Sequence, residues 1–180
     1  MIEVTVARLG LDSATNSYVL ILQEKGGRRL LPIWIGQPEA ESIVMQMHSI
    51  KRERPLTHDL CKSLILGLGG ELRRVQITRV QKNTYYAELH IHRGDSIVQV
   101  DARPSDSIAI ALRLEAPIFA LESLLTAVPA DDDEEMDEDE DEADVTDAIL
   151  QQKSAEELSA EQLKEYLENL RPEDFGKFNL

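Results

Sequence analysis

Leu30-Leu31-Pro32-Ile33-Trp34-Ile35-Gly36-Gln37-Pro38-Glu39-Ala40-Glu41-Ser42-Ile43-Val44-Met45-Gln46-Met47 changes its hydrophobic period in the middle. Leu30 to Ile35 is a short apolar run after a Lys25-Gly26-Gly27 turn, and reads as a strand. Gly36-Gln37-Pro38 ends it. The apolar residues that follow, Ala40, Ile43, Val44 and Met47, fall on one helical face, with Pro38 suited to the first helical position. Outward from this junction the same two periods alternate along residues 1–128. Ile2, Val4 and Val6 alternate as a half-buried strand, and Tyr18 to Leu22 forms a second. A helix runs from Thr57 to Leu68 with Leu60, Cys61, Leu64, Ile65 and Leu68 as its stripe, stopped by Gly69-Gly70. Strands follow around Val75 and Ile77, Ala87 to Ile91, and Ile97 to Val100. A largely apolar helix spans Pro104 to Leu114, and Pro117 to Ala120 reads as one more strand before a short helix to Thr126. This order predicts an α+β fold with a largely antiparallel β-sheet and three main helices. A domain of this size buries about two thirds of its unfolded surface, enough for one core.

The chain has 180 residues and a formal net charge of −15. Residues 1–128 carry fifteen Lys and Arg against fourteen Asp and Glu, whereas residues 129–180 carry four against twenty. The acidity therefore belongs to the tail and does not argue against a nucleic-acid partner for the rest. From Asp131 to Glu142, eleven of twelve residues are carboxylates. Charges spaced more closely than the Debye length of about 8 Å repel, so residues 129–153 are expected to form an acidic disordered linker. Beyond it, Ser154-Ala155-Glu156-Glu157 and Ser159-Ala160-Glu161-Gln162 fit a helix-start capping box. Leu163, Tyr166, Leu167 and Leu170 then share a stripe that ends at Arg171-Pro172. A short C-terminal helix within residues 154–180, able to dock a partner protein, is the expectation. The single Cys61 excludes an internal disulfide framework and a cysteine-cluster metal site, and it reads as core. No secretory signal pattern and no membrane-length apolar run is present, so a cytoplasmic protein without a membrane partner is expected.

Three segments hold polar residues that packing alone does not ask for: Gly36-Gln37-Pro38-Glu39-Ala40-Glu41, Arg54-Pro55-Leu56-Thr57-His58-Asp59 and Asp101-Ala102-Arg103-Pro104-Ser105-Asp106. Each lies at a predicted helix start, where unpaired N–H groups and the helix dipole favour anions, phosphate above all. Phosphodiester hydrolysis uses these residue types. Glu39, Asp59 and Asp101 are hard oxygen ligands suited to Mg²⁺ or Mn²⁺. His58, with an ordinary pKa of about 6.5, can move a proton at neutral pH, alongside Asp59, Asp101 and Asp106. Arg54, Thr57, Arg103 and Ser105 are candidates for holding phosphate. Glu41 is expected to be solvated. The same residues also fit ordinary capping: Thr57 as N-cap with Asp59 in the first turn, and Pro104 opening a helix with Ser105 and Asp106 behind it. Among weaker signals, Glu88, His90 and His92 alternate on a strand and read as a solvated sheet face. Gly67 to Gly70 is a helix stop rather than a phosphate loop. The pairs Arg28-Arg29 and Arg73-Arg74 and the Lys51-Arg52-Arg54 cluster read as surface.

Taken together, Leu31-Pro32-Ile33-Trp34-Ile35-Gly36, Pro38-Glu39-Ala40, Arg54-Pro55-Leu56-Thr57-His58-Asp59-Leu60 and the run from Val100 to Ala109 resemble the bifunctional nuclease domain family over about residues 1–125. Tyr85-Tyr86-Ala87 and Ala116-Pro117-Ile118 also fit. The resemblance implies an α+β fold, homodimers or other homo-oligomers, and nuclease activity on RNA and DNA, which is attributed to some members. The family's polar signature falls on Glu39, Thr57, His58, Asp59, Asp101, Arg103, Ser105 and Asp106. Leu163 to Phe178 does not show the UVR-type helical hairpin that some members carry. The expected function is metal-assisted hydrolysis of RNA or DNA with no organic cofactor. The alternative is a non-catalytic binding or regulatory module in which the same residues form a structural network.

Overall fold

Alternating apolar residues draw Ile2–Asp12 (β1), Ser17–Glu24 (β2) and Leu30–Ile35 (β3) into an antiparallel meander. These elements come from a computed structural model that describes residues 1–12 and 17–127. The expected acidic linker and C-terminal helix lie outside those residues. Two helices follow, Gln37–Met47 (α1) and Thr57–Gly67 (α2). A second meander comprises Glu71–Gln81 (β4), Thr84–Arg93 (β5) and Ser96–Ala102 (β6). The helix Pro104–Leu114 (α3), the short strand Ile118–Ala120 (β7) and a single helical turn at Glu122–Leu124 complete the described chain.

The seven strands form one sheet in the order β3-β2-β1-β7-β4-β5-β6. β7 joins the two meanders. It runs antiparallel to β1 at Ile2 to Val4 and parallel to β4 at Val75 to Ile77, the one parallel pairing among the named strands. This is the expected α+β arrangement with a mostly antiparallel sheet. One sheet face carries the core: Val4, Leu20, Leu22, Leu31 and Ile33 from the first meander, Val75, Ile77 and Ala87 from the second. Ile43 and Val44 of α1 and Ile108, Ala109 and Ala111 of α3 are buried with them. α3 packs on α1, α2, β4 and β5, and is therefore the central helix.

α2 departs from expectation. Its apolar stripe reads as core, yet none of its residues is buried, and Leu60, Leu64 and Leu68 beyond its C-terminus are 52–63% exposed. Cys61 is only partly buried. α2 packs on α3 and touches β4, so it sits at the margin of the helical layer with one side uncovered. Two strand-to-helix transitions, β3 into α1 at Gly36 and β6 into α3 at Arg103, supply two of the three helix starts that carry the polar segments.

Candidate functional site

The first turns of the three helices are tied together by side chains. In α1, Gly36 is the N-cap and Glu39 lies in the first turn. A Cβ at Gly36 would come within 2.5 Å of Glu39 Oε2, so the glutamate folds back over the glycine. From there its Oε1 meets Arg103 Nη2 at 2.7 Å. Arg103 is the N-cap residue of α3 and grips Asp106 with a fork, Nε donating to Oδ2 at 2.7 Å and Nη2 to Oδ1 at 3.1 Å. Asp106 Oδ1 is also 3.1 Å from His58 Nε2, in the first turn of α2. The other ring nitrogen of His58, Nδ1, lies 2.7 Å from Ser42 Oγ in α1. A carboxylate only accepts, so Nε2 carries the hydrogen. In the neutral ring, Nδ1 then accepts from the Ser42 hydroxyl. Both nitrogens of His58 are thus engaged.

A second tie lies behind the first. Arg113, near the end of α3 and only 4% exposed, donates from Nε to Asp59 Oδ1 at 2.6 Å. Its Nη1 donates to the carbonyls of Ser42 and Ala109. Asp59 Oδ2 accepts the N–H of Leu56 at 2.9 Å. Leu56, not Thr57, is the N-cap of α2, and Thr57 is the first helical residue. Leucine has no polar side-chain atom, so Asp59 satisfies the free N–H from within the first turn instead.

Burial pushes the Asp106 carboxyl upward, but the hydrogen bonds from Arg103 and His58, and their charges, more than reverse this and hold it below the usual range. Asp59 behaves alike: burial raises it, and Arg113, the Leu56 N–H and the His58 charge lower it further. Arg103 is pushed up, chiefly by its bond to Asp106. Both aspartates are therefore anionic at neutral pH. Arg103 is 66% exposed. Its Nη1 takes no part in these bonds, so the guanidinium can still receive an anion from solvent.

Of the residues expected at the site, Glu39, His58, Asp59, Arg103 and Asp106 join this network. Asp101 does not. It is exposed on β6, opposite Glu88 on β5. Arg54 is exposed in the loop before α2, Thr57 is exposed, and Ser105 is buried in the first turn of α3. The expected metal set of Glu39, Asp59 and Asp101 is not assembled. Among the described residues, no three of His, Cys, Asp and Glu gather closely enough to hold an ion. The physical reason is that Glu39 is bound to Arg103 and Asp59 to Arg113, while Asp101 faces away to another strand. The donor set as arranged does not fit a divalent cation.

Ser42 and Arg113 were not anticipated. Arg113 left a signal: α3 is apolar nearly all round, which marks a buried helix, and an arginine on a buried helix needs an anionic partner. Ser42 left none, since a serine inside a helix is usually solvated. His90 differs from the solvated face expected for its strand. It is 4% exposed, with Nε2 3.4 Å from Glu88 Oε2 and Nδ1 3.5 Å from Arg74 Nη2.

No helix among the described residues is long and apolar enough to cross a membrane. Comparison with known proteins bears on the same segments. An uncharacterized protein of Mycobacterium tuberculosis is 39% identical over 177 residues, covering 96% of this chain and 97% of that protein. Bifunctional nuclease 2 of Arabidopsis thaliana is 32% identical over 108 residues, 58% of this chain. Bifunctional nuclease 1 of Oryza sativa subsp. indica is 28% identical over 110 residues, 59% of this chain. The matched region is 33% of the length of each plant protein. The family described as the bifunctional nuclease domain matches residues 20–132, a span that holds all three helix starts and every residue of the network. This chain belongs to the bifunctional nuclease domain family.

Proposed function

We propose that this chain hydrolyses phosphodiester bonds of RNA or DNA at the surface where the first turns of α1, α2 and α3 meet. One observation carries the reading. Glu39, Ser42, His58, Arg103 and Asp106 come from three separate helices into one connected set, and the arginine at its outer edge is two-thirds exposed. Arg103 would hold a non-bridging phosphate oxygen and offset charge as it develops. Nδ1 is the basic atom of His58. On gaining a proton there it turns from acceptor to donor toward Ser42, and Asp106 offsets the new positive charge. Ser42 thus stands between His58 and an attacking water. Arg54, Thr57, Ser105 and Asp101 are further candidates for contacts along the nucleic-acid strand. A divalent ion is not given a step here, because the acids are held by arginines.

A second reading has its own support: both ring nitrogens of His58 are occupied, and both aspartates are ion-paired. Such a set could serve only to pin the helices in a binding or regulatory module. Cleavage of labelled single-stranded RNA and DNA by the full chain separates the two, with and without a chelator to read any ion requirement. Under the nuclease reading, Arg103→Ala loses about 10²–10³-fold in kcat/KM with the fold intact. Cleavage undiminished in both Arg103→Ala and His58→Ala would remove the site. Absent cleavage, with a loss of about 1–3 kcal/mol for each truncated partner, would favour the structural module.

A further inference from the structure

The helical layer stops short of the β6 edge of the sheet. β6 is the last strand, bonded on one side only, and every residue from Ser96 to Asp101 is exposed. Val98 and Val100 lie opposite Ile91 and Leu89 of β5, on the face that α3 covers further in. There they remain 45% and 39% exposed. The uncovered side of α2 adjoins this strip. Gly70, just past the end of α2, is packed so closely that a Cβ on it would come within 2.9 Å of both Ile91 Cγ2 and Ile65 O. Leu60, Leu64 and Leu68, four residues apart, form one row along α2. Natural sheets protect such edges with charges, proline or bulges. The run Ser96-Ile97-Val98-Gln99-Val100 contains no charge and no proline, and its pairing with β5 shows no register shift.

We propose that a second copy of this chain seats here, β6 pairing antiparallel with the partner's β6 about a two-fold axis at Gln99, with the two α2 rows closing over the valines. The register follows from the pleat. Paired residues must share a sheet face, so residues of like parity meet. Centring on Gln99 pairs all seven residues of the strand. Val98 then faces the partner's Val100, and Asp101 faces the partner's Ile97 rather than the partner's Asp101. The patch is also the right size. Leu60, Leu64, Leu68, Val98 and Val100 at their exposures offer on the order of 400 Å² of apolar surface per copy. That is about half of the roughly 800 Å² per partner in a standard interface, close to the usual apolar share. A two-fold axis makes the contact self-complementary and closed, so it stops at two copies.

The test uses the full chain at micromolar concentration. Light scattering should give twice the monomer mass of 20.3 kDa. Leu64→Glu and Val100→Lys should each shift it to one copy with unchanged far-ultraviolet circular dichroism. Antiparallel pairing brings the two Gln99 Cα atoms within disulfide range, about 4.5–5.5 Å. Gln99→Cys should therefore cross-link its own dimer under mild oxidation, whereas the wild type, with Cys61 alone, and Arg28→Cys should not. The cross-link needs no destabilised variant and decides the matter if Leu64→Glu fails to fold. A monomeric wild type overturns the proposal, as does a dimer that survives both charge variants. So does Gln99→Cys cross-linking no more than the controls, or a chain that pairs only once residues 128–180 are removed.

Discussion

Two arginines in this domain make the same kind of bond and should answer mutation differently. Arg113 is buried and spends its donors on Asp59 and two carbonyls. Arg113→Met leaves those acceptors without a partner inside the helical layer, and a loss of about 2–4 kcal/mol is expected in urea unfolding, the partial exposure of Asp59 tempering the larger values known for wholly buried pairs. Arg103→Ala should lose only about 1 kcal/mol, because water can replace an arginine that is two-thirds exposed. Asp106 adds a pH prediction. Its carboxyl sits below the ordinary value of 3.8 in the folded protein, so the unfolded chain binds more protons at acid pH. The stabilisation is complete above the unfolded pKa and is lost as pH falls through the folded one. The wild type should lose stability steeply below about pH 4, and Asp106→Asn less steeply over the same window. Equal slopes in an acid-unfolding series would mean the carboxylate is not held as described.

The elements were legible where period and punctuation agree. The switch from strand to helix at Gly36, the Pro104 start and the Gly69-Gly70 stop all fall within a residue or so of the observed boundaries. What the sequence could not reveal was which elements cover one another. The leucine stripe of α2 is a true helical face, but periodicity says only that a face exists, not that the same chain packs on it. The site shows the same division. Helix starts announce Glu39, His58, Arg103 and Asp106, because capping chemistry is local. Asp101 looked equivalent, yet its place in β6 sends it to the opposite partner strand. Local backbone strain makes one further element-scale prediction. α3 ends with Glu115 in the left-handed region at φ 53°, exposed, where a Cβ is unfavourable. Glu115→Gly should raise stability by roughly 0.5–1 kcal/mol in thermal or denaturant unfolding. A loss instead would show that the glutamate side chain contributes more than the strain costs.

On the scale of the whole molecule, the decisive quantity is the partition of charge. Residues 1–128 are nearly neutral in sum, while the last 52 residues account for the whole of the −15 net charge. A phosphate backbone approaching Arg103 therefore meets a domain without net repulsion joined to a strongly acidic tail. If the tail competes with nucleic acid for the basic groups of the domain, removing residues 129–180 should tighten binding of single-stranded RNA or DNA. The gain should be on the order of tenfold at about 10 mM salt, where the Debye length is roughly 30 Å. It should shrink steadily toward physiological salt, where that length is about 8 Å. Fluorescence anisotropy with both chains across a salt series reads this directly, once circular dichroism shows that the shortened chain keeps its fold. A salt-independent gain would point to steric masking in place of electrostatic competition. Identical affinities at every salt concentration would reduce the acidic run to a spacer. The comparison does not depend on cleavage, so it separates how this domain meets nucleic acid from what its helix starts do to it.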